Sequence, residues 1–275
     1  MGKGKSATDI EKGQIQNIAK ILKCFLSKKG GLEGWYDVKV PELPACLKKE
    51  NIFNDNDSNF TKNIKLKQYL WKQLTKASDA KKKVIVKWIV DDWGGITLKD
   101  GALVLNTILN DIKESAKNDF DIRLSDRISS RSKVLSFLNP KKYAICDSRV
   151  IFSLNWFLFL TRNGNLCCAF QKLESRSKIL KAYSLSSLLE KHSELGKAQT
   201  YHLYSEFCDF MKKLTNEINK SNSDWKLYNT EMLLFAIAND IKDGIPFLIR
   251  ELFINAASLE NITAENALNI FKLKK

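Results

Sequence analysis

An all-helical fold is predicted by three features of this 275-residue sequence. Proline and glycine number only 4 and 12, so long elements are joined by few breaks, which favours helices over a many-stranded sheet. Apolar residues recur at helical spacing along much of the chain. The length and the 44% hydrophobic fraction suit one large globular domain, or two small helical ones sharing a cleft.

Taken in order, Ile15, Ile18, Ile21, Leu22, Phe25 and Leu26 predict an amphipathic helix over 9–27. Lys28-Lys29-Gly30-Gly31 closes it with a basic last turn and a glycine stop. Trp35 to Asn59, with Pro41, Pro44 and the polar cluster Asn54 to Ser58, reads as irregular connection. Ser58 or Asn59 caps a helix through Tyr69, Leu70 and Leu74, and a second runs from Ser78 to Trp93-Gly94-Gly95. These two carry nine lysines, among them Lys62, Lys65, Lys67, Lys83 and Lys87, which form either a solvated face or, with Tyr69, Trp71 and Trp88, a track for a phosphate backbone. Asp91 and Asp92 sit at the negative end of the second helix, where neighbouring lysines, or a bound cation, would have to offset them. Further helices are expected at 101–117, 126–138, 147–160, 178–190, 197–219, 229–240 and 246–258. Residues 161–175, with Asn163-Gly164-Asn165, read as a loop or short hairpin. No internal repeat is evident.

Lysine and arginine outnumber aspartate and glutamate by 45 to 31, a net charge of +14. That excess points to a polyanionic partner, nucleic acid before an anionic membrane surface, unless it only reflects a lysine-biased genome. The six cysteines form no Cys-x-x-Cys pair, and Cys167 and Cys168 are adjacent; a reducing cytoplasm and no structural disulfide are expected. His192 and His202 are too few for a typical zinc site, so no metal, metal cluster or cofactor is expected. The longest apolar run, Val150 to Leu160, is eleven residues bracketed by Arg149 and Arg162. It is a buried core helix, too short to span a bilayer. Gly4-Lys5-Ser6 mimics the end of a phosphate loop, and Gly2 with Ser6 a myristoylation pattern, but a basic tail accounts for both.

The chemistry concentrates in residues 126–158. A polar turn leads into a helix with Lys133 near its start, and the helix stops at Asn139-Pro140. Tyr143-Ala144-Ile145-Cys146 then approaches Asp147, which is placed as the N-cap of the apolar helix. Position alone assigns Asp147 a plain cap, worth about 1 kcal/mol.

This segment resembles the core of the helix-hairpin-helix DNA glycosylases, the superfamily of endonuclease III and 8-oxoguanine glycosylase. There a hairpin leads into a helix that begins near a lysine, and an aliphatic stretch ends in an aspartate that caps the next helix, typically as Val-Asp-Thr-x-Val. Ser132-Lys133-Val134-Leu135 and Ile145-Cys146-Asp147-Ser148-Arg149-Val150 match those two blocks. The close resemblance covers about 33 residues, and the 14-residue interval from Lys133 to Asp147 is shorter than the family's usual one. The family's Gly-x-Gly hairpin is replaced by Ser129-Ser130-Arg131-Ser132, and the four-cysteine iron–sulfur motif of some members is absent.

The resemblance implies an all-α protein of two helical lobes with a DNA-binding cleft between them. The middle lobe would span 56–145, and residues 1–55 would pack with 146–275 as the other. It implies a monomeric DNA glycosylase that flips a damaged or modified base out of the stack, without a membrane or metal cluster. Asp147 would stabilise the oxocarbenium-like sugar or orient the nucleophile. Lys133 would attack C1′ as in the strand-cleaving members, or else contact a phosphate. Ser130, Arg131, Ser132 and Arg149 are the candidate DNA contacts, with a salt bridge as the alternative for Arg149. An unusual substrate, such as the hypermodified bases of phage DNA, suits so diverged a hairpin. The rival expectation is a non-catalytic helical protein that binds DNA or RNA and uses Asp147 only as a cap.

Overall fold

The computed structural model describes residues 7–48, 51–97, 101–117, 120–162, 166–191, 197–221 and 224–254. The N-terminal phosphate-loop and myristoylation look-alikes lie outside these residues, as does His192. Helix α1, Ala7–Lys28, is followed by an irregular stretch with short 3-10 turns at Leu32–Gly34 and Ala45–Leu47. Helices α2, Asn59–Lys76, and α3, Asp79–Trp88, both start at a serine whose hydroxyl accepts from an amide three residues on: Thr61 for Ser58 and Lys81 for Ser78. A π-helical turn, Ile89–Trp93, ends α3. Then come α4, Gly101–Glu114, α5, Ile128–Leu138, and α6, Ser148–Leu160.

Two apolar cores organise these elements. The larger gathers Ile18, Ile21, Leu22 and Phe25 of α1 with Leu154, Trp156 and Phe157 of α6. It is completed by α9, Tyr204–Asn219, through Phe207, Met211 and Leu214, and by α10, Leu227–Ile254, through Leu233, Ile237 and Ile241. The smaller gathers Leu66, Leu70 and Leu74 of α2, Ile85 and Val86 of α3, and Val104 and Ile108 of α4. Helix α5 serves both, turning Ile128 and Leu135 to the larger core and Val134 and Phe137 to the smaller. Leu47, ahead of residue 56, belongs to the smaller core, while Ile122, Leu124, Tyr143 and Ala144 belong to the larger.

Among the described residues the chain is mostly helical, interrupted by one small two-stranded sheet. Strand β1, Leu166–Phe170, pairs in parallel with β2, Lys197–Tyr201, with Ala169 opposite Thr200 and Phe170 opposite Tyr201. The helix expected from 197 therefore starts seven residues later. The pairing is held by Phe170, whose ring centroid lies 5.2 Å from that of Tyr201 and 5.6 Å from that of Phe207. The polar interruptions in the apolar run of α6 explain themselves here. Asn155 accepts from Phe170 N and donates to Phe170 O, both at 2.8 Å, standing in for a neighbouring strand. Ser153 donates to Leu234 O at 2.8 Å and ties α6 to α10.

Two helix boundaries also differ. Residues 178–190 form not one helix but two, α7, Lys178–Ala182, and α8, Leu185–Lys191. Trp156 holds the break by donating to Tyr183 O at 3.0 Å. The helices expected at 229–240 and 246–258 are one, α10, with Pro246 inside it; residues 255–258 lie outside the described set. Proline forfeits one backbone hydrogen bond, and burial of Ile237, Ala238, Ile241 and Ile245 offsets that loss. Among the described residues no helix is long and apolar enough to cross a membrane.

Candidate active site

The site forms where α5, the approach to α6, the end of the π-helical turn and the start of α10 meet. Its floor is set by Ser132. This hydroxyl, wholly buried, accepts from Cys146 N at 3.0 Å and lies 3.3 Å from Cys146 O. One turn of α5 is thereby clipped to the segment that carries Asp147. Lys133, the next residue, points along that clip, with Nζ 3.3 Å from Ser129 O and 3.9 Å from Asp147 Oδ2. Asp147 divides its two oxygens between tasks. Oδ1 accepts from Arg149 N and Val150 N, both at 3.0 Å, and so caps α6, while Oδ2 is the one nearest the amine.

A cavity of about 90 Å³ opens over this pair. Tyr36, Trp93 and Phe235 supply aromatic walls, and Val38, Val150 and Met232 aliphatic ones. Trp93 is fixed by a hydrogen bond to Asn63 at 2.9 Å and by an edge-on contact with Phe137 at 4.9 Å between centroids. Gly94 lets the backbone close on the lysine: a Cβ there would lie 2.8 Å from Lys133 Cδ. Arg149 is exposed at the rim, its guanidinium 4.7 Å above the Phe235 ring.

Electrostatics differentiate the members. Burial pushes the Lys133 ammonium below its ordinary range; Asp147, Glu231 and Cys146 pull it back up, and Arg176 adds to the lowering. Arg176 reaches this region by donating to Gly95 O at 2.7 Å. Burial pushes the Cys146 thiol up, and it pushes the Tyr36 phenol up, reinforced by Glu231 and Asp147. The result is a buried amine whose charged form is disfavoured by burial, set beside the carboxylate that caps α6.

Not all of the expected DNA contacts are at this surface. Ser129 to Ser132 is no hairpin but part of α5, which begins at Ile128. The tight turn comes earlier, at Arg127, whose φ of 54° is left-handed. Ser132 and Ser130, 0% and 6% exposed, face inward and offer no hydroxyl to a phosphate. Arg131 is committed to a two-pronged ion pair with Asp111, at 2.6 Å on each prong, and to Asp126 O. Of the four, Arg149 alone is exposed.

Two members of the site were not anticipated. Glu231, near the start of α10, is 2% exposed and forms an ion pair with Lys67. Lys67, counted among the lysines of a solvated or phosphate-tracking face, is itself 2% exposed. The signal was present in the helical spacing, since Lys67 shares a face with Asn63, Leu70 and Leu74. Asp91 pairs with Lys87, and no group of three or more histidine, cysteine or acidic side chains among the described residues is placed to hold a metal. No family model matches the chain, and no curated protein or solved structure matches it significantly.

Proposed function

We propose that the chain is a DNA base-excising enzyme in which Lys133 and Asp147 act together on the sugar of an extruded nucleotide. The observation that carries this reading is the 3.9 Å approach of a buried, pKa-lowered amine to a helix-capping carboxylate at the floor of an aromatic-walled cavity. The net charge of +14 supports a polyanionic substrate.

In the proposed reaction the neutral Lys133 amine attacks C1′ and the glycosidic bond breaks. The base leaves with that electron pair and takes up the proton released from Nζ, relayed through Asp147. Asp147 also stabilises the positive charge that develops on the sugar. The C1′–O4′ bond then breaks, O4′ taking up the second Nζ proton, and leaves a Schiff base between Nζ and C1′; water hydrolyses it, or strand cleavage follows. The substrate is a damaged or modified base, and hypermodified phage DNA is the preferred source.

The test is release of free base from ordinary and hypermodified genomic DNAs, with borohydride trapping of a protein–DNA adduct. Wild type should release base and form the adduct; Lys133→Gln should lose the adduct and Asp147→Asn should lose turnover. Absence of release from every DNA, with salt-dependent binding intact, would leave a DNA-binding protein in which Asp147 is only a cap.

A further inference from the structure

Beside the Lys133–Asp147 pair lies a second, buried pair, one member of which, Glu231, lines the same cavity. Glu231 of α10 and Lys67 of α2 form an ion pair with side chains 2% and 3% exposed, 164 residues apart in sequence. A buried pair of this kind is weak evidence for stability, because desolvating two charges costs about what their attraction returns. Its other bonds show what it holds. The second oxygen of Glu231, Oε2, accepts from Ile145 N, two residues before Asp147. The ammonium of Lys67 also reaches Ser136 Oγ at 3.4 Å, and that hydroxyl donates to Lys133 O at 2.8 Å. One branch therefore grips the backbone leading to the carboxylate and the other the helix turn carrying the amine.

We infer that Glu231 is a positioning residue for Asp147, with Lys67 as the counter-charge that keeps it in place. Its two oxygens are taken by Lys67 Nζ and Ile145 N, so it acts through them. By holding Ile145 N it fixes the entry of the chain into α6, and so the distance from Asp147 Oδ2 to Lys133 Nζ. This rests on the reading of Lys133 and Asp147 as the reacting pair, so its test reads the amine directly rather than turnover. The groups that face Lys133 are Asp147 and Cys146 ahead of α6, Glu231 on α10 and Arg176 between β1 and α7. Tyr36 lines the same cavity.

The experiment measures acetylation of Lys133 by limiting acetic anhydride across neutral to alkaline pH, quantified on its peptide by mass spectrometry. Four folded proteins are compared: wild type, Asp147→Asn, and Lys67→Met combined with Glu231→Gln or with Glu231→Leu. Both double variants remove both buried charges, which avoids stranding either one. They differ in that glutamine still accepts from Ile145 N and leucine does not. Asp147→Asn removes an anion that favours the ammonium, so Lys133 should react roughly threefold or more faster at neutral pH. The leucine double variant should move in the same direction, because Asp147 is released from its place, while the glutamine double variant stays nearer wild type. Equal rates in the two double variants would overturn the positioning role of Glu231. An Asp147→Asn protein with wild-type rates would overturn the Lys133–Asp147 pair itself, and with it the proposed function. Neither result depends on finding the right DNA.

Discussion

Replacing Asp147 separates its capping of α6 from its proposed role in base release, because the cap and the approach to Lys133 fall on different oxygens. Oδ1 takes the two capping bonds, from Arg149 N and Val150 N at 3.0 Å each, and Oδ2 faces Lys133 at 3.9 Å. Asparagine keeps a carbonyl oxygen in the Oδ1 position, so Asp147→Asn should lose only a few tenths of a kcal/mol through the cap. Alanine keeps neither oxygen, and Asp147→Ala should lose about 1 kcal/mol, roughly 2–4 °C in Tm for a chain of this size. The sign for the amine is the same in both variants. Asp147 holds the Lys133 pKa up against burial, so its removal lowers that pKa further, and both variants lose more stability as pH falls from alkaline toward neutral and Lys133 takes up its proton. Base release should drop by roughly 100-fold or more in each variant, since neither retains a charge to meet the developing cation. Thermal unfolding at two pH values and a base-release assay on the same preparations check this. An asparagine variant as unstable as alanine would refute the division of oxygens. An asparagine variant with wild-type turnover would refute the catalytic role.

Among the neighbouring residues, Lys133→Met should raise stability at neutral pH by about 1 kcal/mol, because burial depresses the lysine pKa and the folded chain bears the cost of the charged form below that depressed value. The gain should shrink as pH rises through the alkaline range, and a variant less stable than wild type in neutral-pH melts would count against a burial cost at this amine. Gly94→Ala places a Cβ 2.8 Å from Lys133 Cδ and within 2.8 Å of the Ile89 and Val90 carbonyls; about 1–3 kcal/mol of stability and most base release should be lost, as urea unfolding and the release assay would show. Ser132→Ala strands the buried Cys146 amide at about 1–3 kcal/mol while leaving DNA affinity unchanged. Arg149→Ala should do the reverse, lowering the salt-dependence slope of DNA binding by about 1 with little change in melting temperature; a salt titration of both variants distinguishes them.

The helices that frame the candidate site, and the place of Lys133 and Asp147 on them, were readable along the chain because their signals are local. Helical spacing in α1 to α6, serine caps at 58 and 78, and the Asn139-Pro140 stop all act over a few residues. Asp147 could be placed at a helix N-terminus for the same reason, and the folded chain holds it there with both capping bonds made. Local signals misled where long-range pairing overrode them. Lys197 to Tyr201 looks as helical as the Tyr204–Asn219 helix beyond it, but Leu166 to Phe170 and the side chain of Asn155 complete a sheet across it. The Ser129 to Ser132 run looks like an altered turn because its serines are polar, yet Ser132 is spent on a backbone 14 residues away.

By itself, then, the sequence determined a basic, mostly helical chain, a lysine near the start of one helix and an aspartate at the head of the next. Those are properties of periodicity, capping and charge count, which need no knowledge of distant residues. Only the tertiary structure decided that the lysine is buried, that it lies 3.9 Å from the aspartate, and that Glu231 and Lys67 stand behind them. Burial and ion pairing are set by which helices pack together, and a pair 164 residues apart leaves no local trace beyond an acid and a base on faces that ought to be apolar.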